Sequence, residues 1–264
     1  MNVNFKLRDL LEAGMHLGHK TNKWNPNMDQ YIYGSQDNIH IIDLRKTVSL
    51  LNNALSFVEN ISKTNGLILF IGTKSQASEI VKKYAVECKQ FYVNKRWLGG
   101  MLTNWNTISN SLNFLNSLNK KVSDQNLNLK KKEILQMKRQ IEKIEKYLGG
   151  LKDMGSIPQA IFVVDVNKDA IAVNEANKLK IPVIGILDTN SSPIGINYPI
   201  PGNDDSRKSI ELICSLISKI VIKNKKKINF KENKEGIEKE TVITKIPKKE
   251  EVKKELKKKE KKTK

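Results

Sequence analysis

The stretch GLILFIGTKSQASEIVKKYAVEC, residues 66–88, decides the fold class. Its first part, Leu67–Ile71, is apolar at every position, which is typical of a strand that is covered on both faces of a sheet. The turn Gly72–Ser75 follows, and Gln76–Cys88 then has a helical pattern of apolar residues. An apolar strand that leads directly into a helix predicts one βα unit of a parallel sheet.

The same pattern recurs along the chain and extends the prediction to a whole α/β domain. Further strands of the sheet are predicted at Phe91–Val93, Ile161–Val166, Val183–Leu187 and Asn197–Ile200, and helices at Asp169–Leu179 and Asp204–Ile222. We expect Asp204 to cap the last helix. The N-terminal part adds a helix at Leu7–Ala13, a strand at Ile39–Ile42 and a helix at Leu44–Ser62. We therefore predict a parallel sheet with helices on both faces.

Residues 105–148 break this α/β rhythm. Apolar residues recur there at steps of three and four in two series: Trp105, Ile108, Leu112 and Leu115, then Ile134, Met137, Ile141, Ile144 and Leu148. Such a seam predicts an antiparallel coiled-coil hairpin of two helices, with Gly149-Gly150 as its end. Self-packing explains the seam, while a partner-binding role for its exposed faces stays open. The predicted units are an α/β domain (1–104 and 149–222), the hairpin insertion (105–148) and a tail (223–264).

The charge of the chain favours a polyanionic partner. There are 47 Lys+Arg against 28 Asp+Glu, a formal net charge of +19. About half of this excess lies in the tail, which we expect to be disordered or transiently helical, either as an RNA-contacting arm or as a solvated segment. A membrane partner is not expected, because no apolar run approaches the length that spans a bilayer and Met1–Leu10 has no signal-peptide pattern. Cys88 and Cys214 are interpreted as buried thiols.

No residue pattern indicates an enzyme, a cofactor or a small-molecule substrate. The turn Gly72–Ser75 lacks both the P-loop and the dinucleotide-binding spacing, and a turn with a capping hydroxyl explains it equally well. A nucleotide-binding protein that uses this turn remains the second hypothesis. His16 and His19 could share a metal, but no Cys or Glu is spaced to complete its ligand shell, so RNA contact or loop packing is favoured.

Two loops have the composition of an RNA-binding surface. Gly18–Met28 mixes cations and amides with Trp24, and Asn94–Trp105 combines Lys95-Arg96 with two glycines and Trp97, which can stack on a base or pack under the loop. The tryptophans could equally anchor the hairpin to the sheet. The predicted RNA-binding residues are His16, His19, Lys20, Lys23, Trp24, Asn25, Lys74, Lys95, Arg96, Trp97 and Asn104.

An ordered set of motifs resembles the bacterial-type family of the second protein of the small ribosomal subunit (S-two). The motifs are AGMHLGH at 13–19, WNP at 24–26, IHIIDL at 39–44, FIGTK at 70–74, RWLGGMLTNW at 96–105, LGGLKDM at 148–154, DTNS at 188–191 and IPGNDD at 200–205. They cover roughly residues 5–222 and occur in the order of the family.

The resemblance implies a flavodoxin-like or Rossmann-like parallel sheet with a protruding coiled-coil hairpin. It also implies a structural, non-enzymatic role on the small subunit, between its head and body. The implied partners are the 16S rRNA of that subunit and neighbouring ribosomal proteins, including the large mRNA-binding protein whose docking the family supports. The implied location is the cytoplasmic ribosome, or an organellar ribosome if the gene is organelle-encoded.

Overall fold

The structure is a computed structural model that describes residues 5–123 and 131–243. The first region of the chain forms a small antiparallel sheet whose strands lie between two helices in the sequence. The elements are α1 (Leu7–Glu12), β1 (Leu17–Lys20), β2 (Ile32–Gln36), β3 (Ile39–Ile42) and α2 (Leu44–Lys63), with strand order β1-β3-β2. Of these elements, β3 and the two helices were predicted, whereas β1 and β2 were not. The turn between β2 and β3 consists of Asp37 and Asn38, both with positive φ, which is the backbone of a tight two-residue hairpin.

A five-stranded parallel sheet forms the centre of the fold and confirms the predicted class. Its strands are β4 (Ile68–Ile71), β5 (Phe91–Val93), β6 (Ala160–Val163), β7 (Val183–Leu187) and β8 (Tyr198–Pro201), in the spatial order β5-β4-β6-β7-β8. Every neighbouring pair is parallel. The order is that of a doubly wound, flavodoxin-like sheet.

Three helices connect or follow these strands: α3 (Ser75–Glu87), α6 (Ala170–Lys178) and α7 (Arg207–Ile243). The prediction that Asp204 caps the last helix is wrong. The hydroxyl of Ser206 accepts from the N–H of Ser209 (3.4 Å) at this terminus, whereas the carboxylate of Asp204 accepts from the ammonium of Lys74 (2.7 Å). The Asp204 side chain is thus used in an ion pair.

The predicted tail begins inside α7. The chain divides into two structural units, the first ending at Ile222 and the second beginning at Lys223. The helix continues to Ile243, so the first half of the tail that we expected to be disordered or transiently helical is helical here. Residues 244–264 lie outside the described residues, and their predicted disorder stays a prediction.

Both faces of the parallel sheet are buried. Phe70 and Phe162 point to one face, with ring centroids 5.5 Å apart, and pack with residues of α7 such as Ile213. Leu69 and Ile71 point to the opposite face, which packs against residues of the Asn94–Trp105 loop and the hairpin. Alternate side chains of one apolar strand therefore enter two separate cores, as a doubly covered strand requires. Cys88 and Cys214 are buried free thiols, as predicted.

The inserted hairpin consists of α4 (Trp105–Ser123) and α5 (Lys131–Leu148). The start of α4 and the end of α5 line the same groove, so the two helices run antiparallel. Ile108, Leu112 and Leu115 of the predicted seam are buried and Trp105 is partly buried. Leu118, which was not predicted, extends the seam by one more step. At the base of the hairpin, Gly150 packs so closely on the strand β5 that a Cβ atom there would clash with the carbonyl oxygen of Tyr92.

None of the helices in the described part of the chain has the length and apolar character needed to cross a membrane.

Candidate nucleic-acid interface

The two loops predicted to bind RNA lie along one edge of the parallel sheet. Asn94–Trp105 begins where β5 ends, so it is at the carboxyl edge, where ligands of such sheets bind. The segment Gly18–Met28 reaches the same edge at the end of β7: the N–H of His19 donates to the hydroxyl of Thr189 (2.9 Å), and the N–H of Asn25 donates to its carbonyl oxygen (2.8 Å).

A single buried carboxylate holds the Asn94–Trp105 loop in shape. Glu175 of α6 is only 6% exposed. Its Oε1 accepts from the indole N–H of Trp97 (3.1 Å) and the N–H of Gly100 (2.7 Å). Its Oε2 accepts from the N–H of Leu102 (3.0 Å) and from both the N–H and the hydroxyl of Thr103 (3.1 Å each). Five donors converge on one side chain, which sequence reasoning did not identify.

These hydrogen bonds stabilise the ionised form of Glu175 and hold the backbone of the loop in place. Burial by itself raises the pKa of Glu175, but the donors of Gly100, Leu102, Thr103 and Trp97 outweigh it and lower the pKa below the ordinary value of 4.5. Gly100 has φ +88, a conformation that other residues adopt poorly. The loop thus depends on an ionised carboxylate and on one glycine.

The structure separates the predicted RNA-binding residues of this loop by exposure. Lys95, Arg96 and Asn104 are exposed, whereas Trp97 is buried under the loop. Of the two roles considered for Trp97, packing under the loop is the one that this structure shows. The hydroxyl of Thr107 donates to the side-chain oxygen of Asn104 (2.8 Å), which leaves the amide NH₂ of Asn104 at the surface.

The segment Gly18–Met28 presents a similar mixture. Lys20, Lys23 and Trp24 are exposed, and the Trp24 ring lies beside that of His40, with centroids 5.5 Å apart. The side-chain oxygen of Asn25 accepts from the N–H of Asn27 (2.9 Å) and shapes the start of the next turn. These residues are therefore placed where a polyanion can reach them.

Two other predicted residues face inward, toward carboxylates. The Nδ1 of His19 lies 3.0 Å from Asp188 Oδ1. The Nζ of Lys74 lies 2.7 Å from Asp204, 2.5 Å from Asp205 and 3.4 Å from Asp165. An RNA-phosphate contact by Lys74 would require these ion pairs to break, and the same is true of the nucleotide-binding hypothesis for its turn.

The neighbouring carboxylates stabilise the positively charged forms of His19 and Lys74. The hydrogen bond that the His19 ring donates to Asp188 raises the pKa of His19, in spite of its partial burial. Burial lowers the pKa of Lys74, but the bonds to Asp204 and Asp205 more than reverse this and raise it. Burial, followed by the charge of Asp188, raises the pKa of Asp204 to about 7 in spite of its contact with Lys74.

Part of this cluster has the donor set of a cation site. His19, Asp188, Asp204 and Asp205 each offer one ligand atom within 4.8 Å of the others. His16, which the HxxH spacing suggested as a co-ligand, is outside this group, and its Nδ1 is buried without a hydrogen-bond partner. The ammonium of Lys74 already supplies a positive charge to two of these carboxylates.

Comparison with known proteins gives one consistent family. A family model described as ribosomal protein S2 matches residues 10–224. The small ribosomal subunit protein uS2 of Anaplasma phagocytophilum (strain HZ) is 52% identical over 220 residues, covering 83% of this chain and 74% of the relative. That of Chelativorans sp. (strain BNC1) is 54% identical over 219 residues, covering 83% of this chain and 82% of the relative. That of Parvibaculum lavamentivorans is 51% identical over 219 residues, covering 83% of this chain and 87% of the relative. The order of motifs, the doubly wound sheet and these matches agree, and the chain belongs to the ribosomal protein S2 family.

Proposed function

We propose that this protein is a structural, non-catalytic component of the small ribosomal subunit, and that it binds rRNA along the carboxyl edge of its parallel sheet. The family is one of structural components and not of enzymes. The observation that supports the RNA-binding edge is the contrast between its cations. Within the described residues, Lys20, Lys23, Lys95 and Arg96 have no ion-pair partner, whereas Lys74 is paired with carboxylates.

Unpaired cations at an edge are suited to phosphate binding. An exposed Lys or Arg without a carboxylate neighbour can neutralise a phosphate and release its counterions without first breaking an internal ion pair. Glu175 fixes the neighbouring part of the loop through Trp97, Gly100 and Leu102, so the loop that carries Lys95 and Arg96 is organised before any RNA arrives. Contacts of this type position the protein on RNA, and the surface amides, such as that of Asn104, can add contacts to base edges or sugars.

The decisive experiment measures incorporation into small subunits. We expect the tagged protein to sediment with small subunits and to be released by high salt. The double variant Lys95→Glu, Arg96→Glu should reduce incorporation strongly without changing the thermal unfolding of the isolated protein. A matched control, Lys82→Glu with Lys178→Glu, makes the same change in net charge at two exposed lysines outside both loops.

The control separates a local contact from bulk charge. Equal loss of incorporation in both double variants would show that only the overall charge matters. Normal incorporation of the Lys95→Glu, Arg96→Glu variant would show that the loop has a structural role and does not face RNA.

The finer features implied by the family resemblance are part of the same proposal. We infer that the bound RNA is 16S rRNA between the head and body of the subunit, in the cytoplasm or in an organelle. We also infer that the protein supports the docking of the large mRNA-binding ribosomal protein. Subunits purified from cells depleted of this chain should then lack that protein and regain it when the purified chain is added back. Undiminished amounts in depleted subunits would refute the docking role.

A further inference from the structure

The spatial order of the strands creates a crevice at the carboxyl edge. From β4 the chain proceeds to β5 on one side of the sheet and later to β6 on the other. The loops that follow β4 and β6 therefore diverge toward opposite faces, and the gap between them is where doubly wound sheets bind their ligands. In this protein a cavity of about 510 Å³ lies at that point, between Thr73 after β4 and Lys168 after β6.

Cations outnumber carboxylates in the lining of this cavity. It is formed by Thr73, by Lys95, Arg96, Trp97, Leu98 and Gly99 of the loop after β5, and by Lys168, Asp169 and Ile171. Three cations thus face a single carboxylate. The two oxygens of Asp169 already accept from the hydroxyl (3.0 Å) and the N–H (3.4 Å) of Thr73, so they are held against the wall of the crevice.

The three cations differ in how they are held. The Nζ of Lys168 donates to the carbonyl oxygen of Thr73 (3.2 Å), which keeps its ammonium close to the turn after β4. Lys95 and Arg96 have no hydrogen-bond or ion-pair partner among the described residues. An anion in the crevice would therefore gain an anchored cation from one loop and two unpaired cations from another.

The lining of the crevice also contains apolar side chains. Leu98 is half-buried, and Ile171 is 56% exposed although it is a large aliphatic residue. A bare inorganic anion would leave this surface in water, whereas a ribose or base attached to a phosphate would cover it. The combination of cations and apolar side chains in one lining fits a nucleotide better than a simple ion.

We infer that this crevice binds one nucleotide unit of an RNA strand, with its phosphate shared by Lys95, Arg96 and Lys168 and its sugar or base against Leu98 and Ile171. The inference rests on the proposed RNA-binding function and adds to it a defined receptor that spans two loops. It also assigns a role to Lys168, which the sequence did not single out.

A double-mutant cycle tests whether two lysines from different loops share one phosphate. The affinity of the full-length protein for a short fluorescein-labelled RNA is measured for Lys95→Gln, Lys168→Gln and the double variant. Each single change should weaken binding by roughly fivefold. If both lysines contact the same phosphate, the loss in the double variant should differ clearly from the product of the single losses. Lys178→Gln is the matched control for Lys168→Gln and should leave the affinity unchanged.

The reference pair is Lys95→Gln with Lys23→Gln. These two lysines lie in different RNA loops, and only Lys95 lines the crevice. Their effects should multiply. Simple multiplication for Lys95 with Lys168 as well would overturn the crevice but leave the proposed RNA-binding edge intact. Unchanged affinity in every one of these variants would overturn the edge itself. Thermal unfolding of each variant confirms that the fold is retained.

A small probe distinguishes an RNA strand from a free nucleotide as the source of the phosphate. Adenosine monophosphate, titrated into the same protein, should bind weakly, should depend on Lys95 and Lys168, and should be displaced by excess RNA. Monophosphate that stays bound in saturating RNA would show that the crevice serves a free nucleotide and would overturn the inference.

Discussion

Replacing Glu175 with glutamine should disorganise the loop that carries Lys95 and Arg96, although residue 175 is not at the surface. One carboxylate oxygen of Glu175 accepts from two donors of the loop, and the other oxygen accepts from three. A glutamine has one acceptor oxygen and one NH₂ group that only donates. Whichever way the amide is oriented, at least two donors of the loop then face another donor.

The size of the effect follows from the burial of these hydrogen bonds, which is complete for the donors of Trp97 and Leu102 and partial for those of Gly100 and Thr103. Each buried donor that loses its acceptor costs about 1–3 kcal/mol, and donors that share one partner are not additive. We therefore expect Glu175→Gln to lower the free energy of unfolding by about 3–5 kcal/mol, a large part of the ~5–15 kcal/mol that stabilises an ordinary domain. Glu87→Gln, a change of the same type at an exposed helical position, should stay within about 0.5 kcal/mol of the parent.

Urea unfolding of the two variants and the parent measures these differences. The near-ultraviolet circular dichroism of the protein also reports on the loop, because Trp97, whose indole N–H donates to Glu175, contributes to it. A Glu175→Gln variant that loses less than about 1 kcal/mol and keeps the parent spectrum would refute the view that this carboxylate organises the loop.

Three further predictions concern the same edge. Because the pKa of Glu175 is lowered in the folded protein, its contribution to stability should be complete above the ordinary pKa of 4.5 and disappear as the pH falls further, so the unfolding free energies of the parent and Glu175→Gln should converge in acid. Gly100→Ala should destabilise by about 1 kcal/mol or more because φ is +88 there, whereas Gly99→Ala, with open space around its Cβ position, should be nearly neutral in the same urea titration. Because the pKa of His19 is raised beside Asp188, the contribution of this pair to the free energy of unfolding is complete below pH 6.5 and is lost as the pH rises through the folded pKa. The parent and His19→Gln should therefore approach equal stability at alkaline pH in urea unfolding. A constant difference between them would argue against the charged pair.

The fold was predictable wherever a segment has one dominant periodicity. Leu67–Ile71 and Val183–Leu187 are apolar at nearly every position, which is typical of short strands with both faces buried. The hairpin was predictable for the same reason, since its seam repeats over several turns. By contrast, β1 and β2 lie in a sheet of three short strands with much exposed surface, so their sequences carry little alternation.

The candidate site was predictable by composition but not by orientation. Lys95 and Lys74 both follow parallel strands and looked equally suited to phosphate, yet one is free at the surface and the other is enclosed by carboxylates from distant parts of the chain. Such pairing depends on which loops meet in space, which local sequence does not encode. Glu175 left one signal: it is a carboxylate at the spacing of the apolar Ala172 and Ala176, on the buried side of the helix.

The contact between Gly150 and the carbonyl of Tyr92 has a geometrical consequence at the opposite end of the hairpin. The 18 residues of α5 extend about 27 Å from that contact. A tilt of about 10° at the base would displace the far end by about 5 Å. The hairpin therefore amplifies small changes at its root, and the close packing of Gly150 on β5 contributes to the direction of the arm.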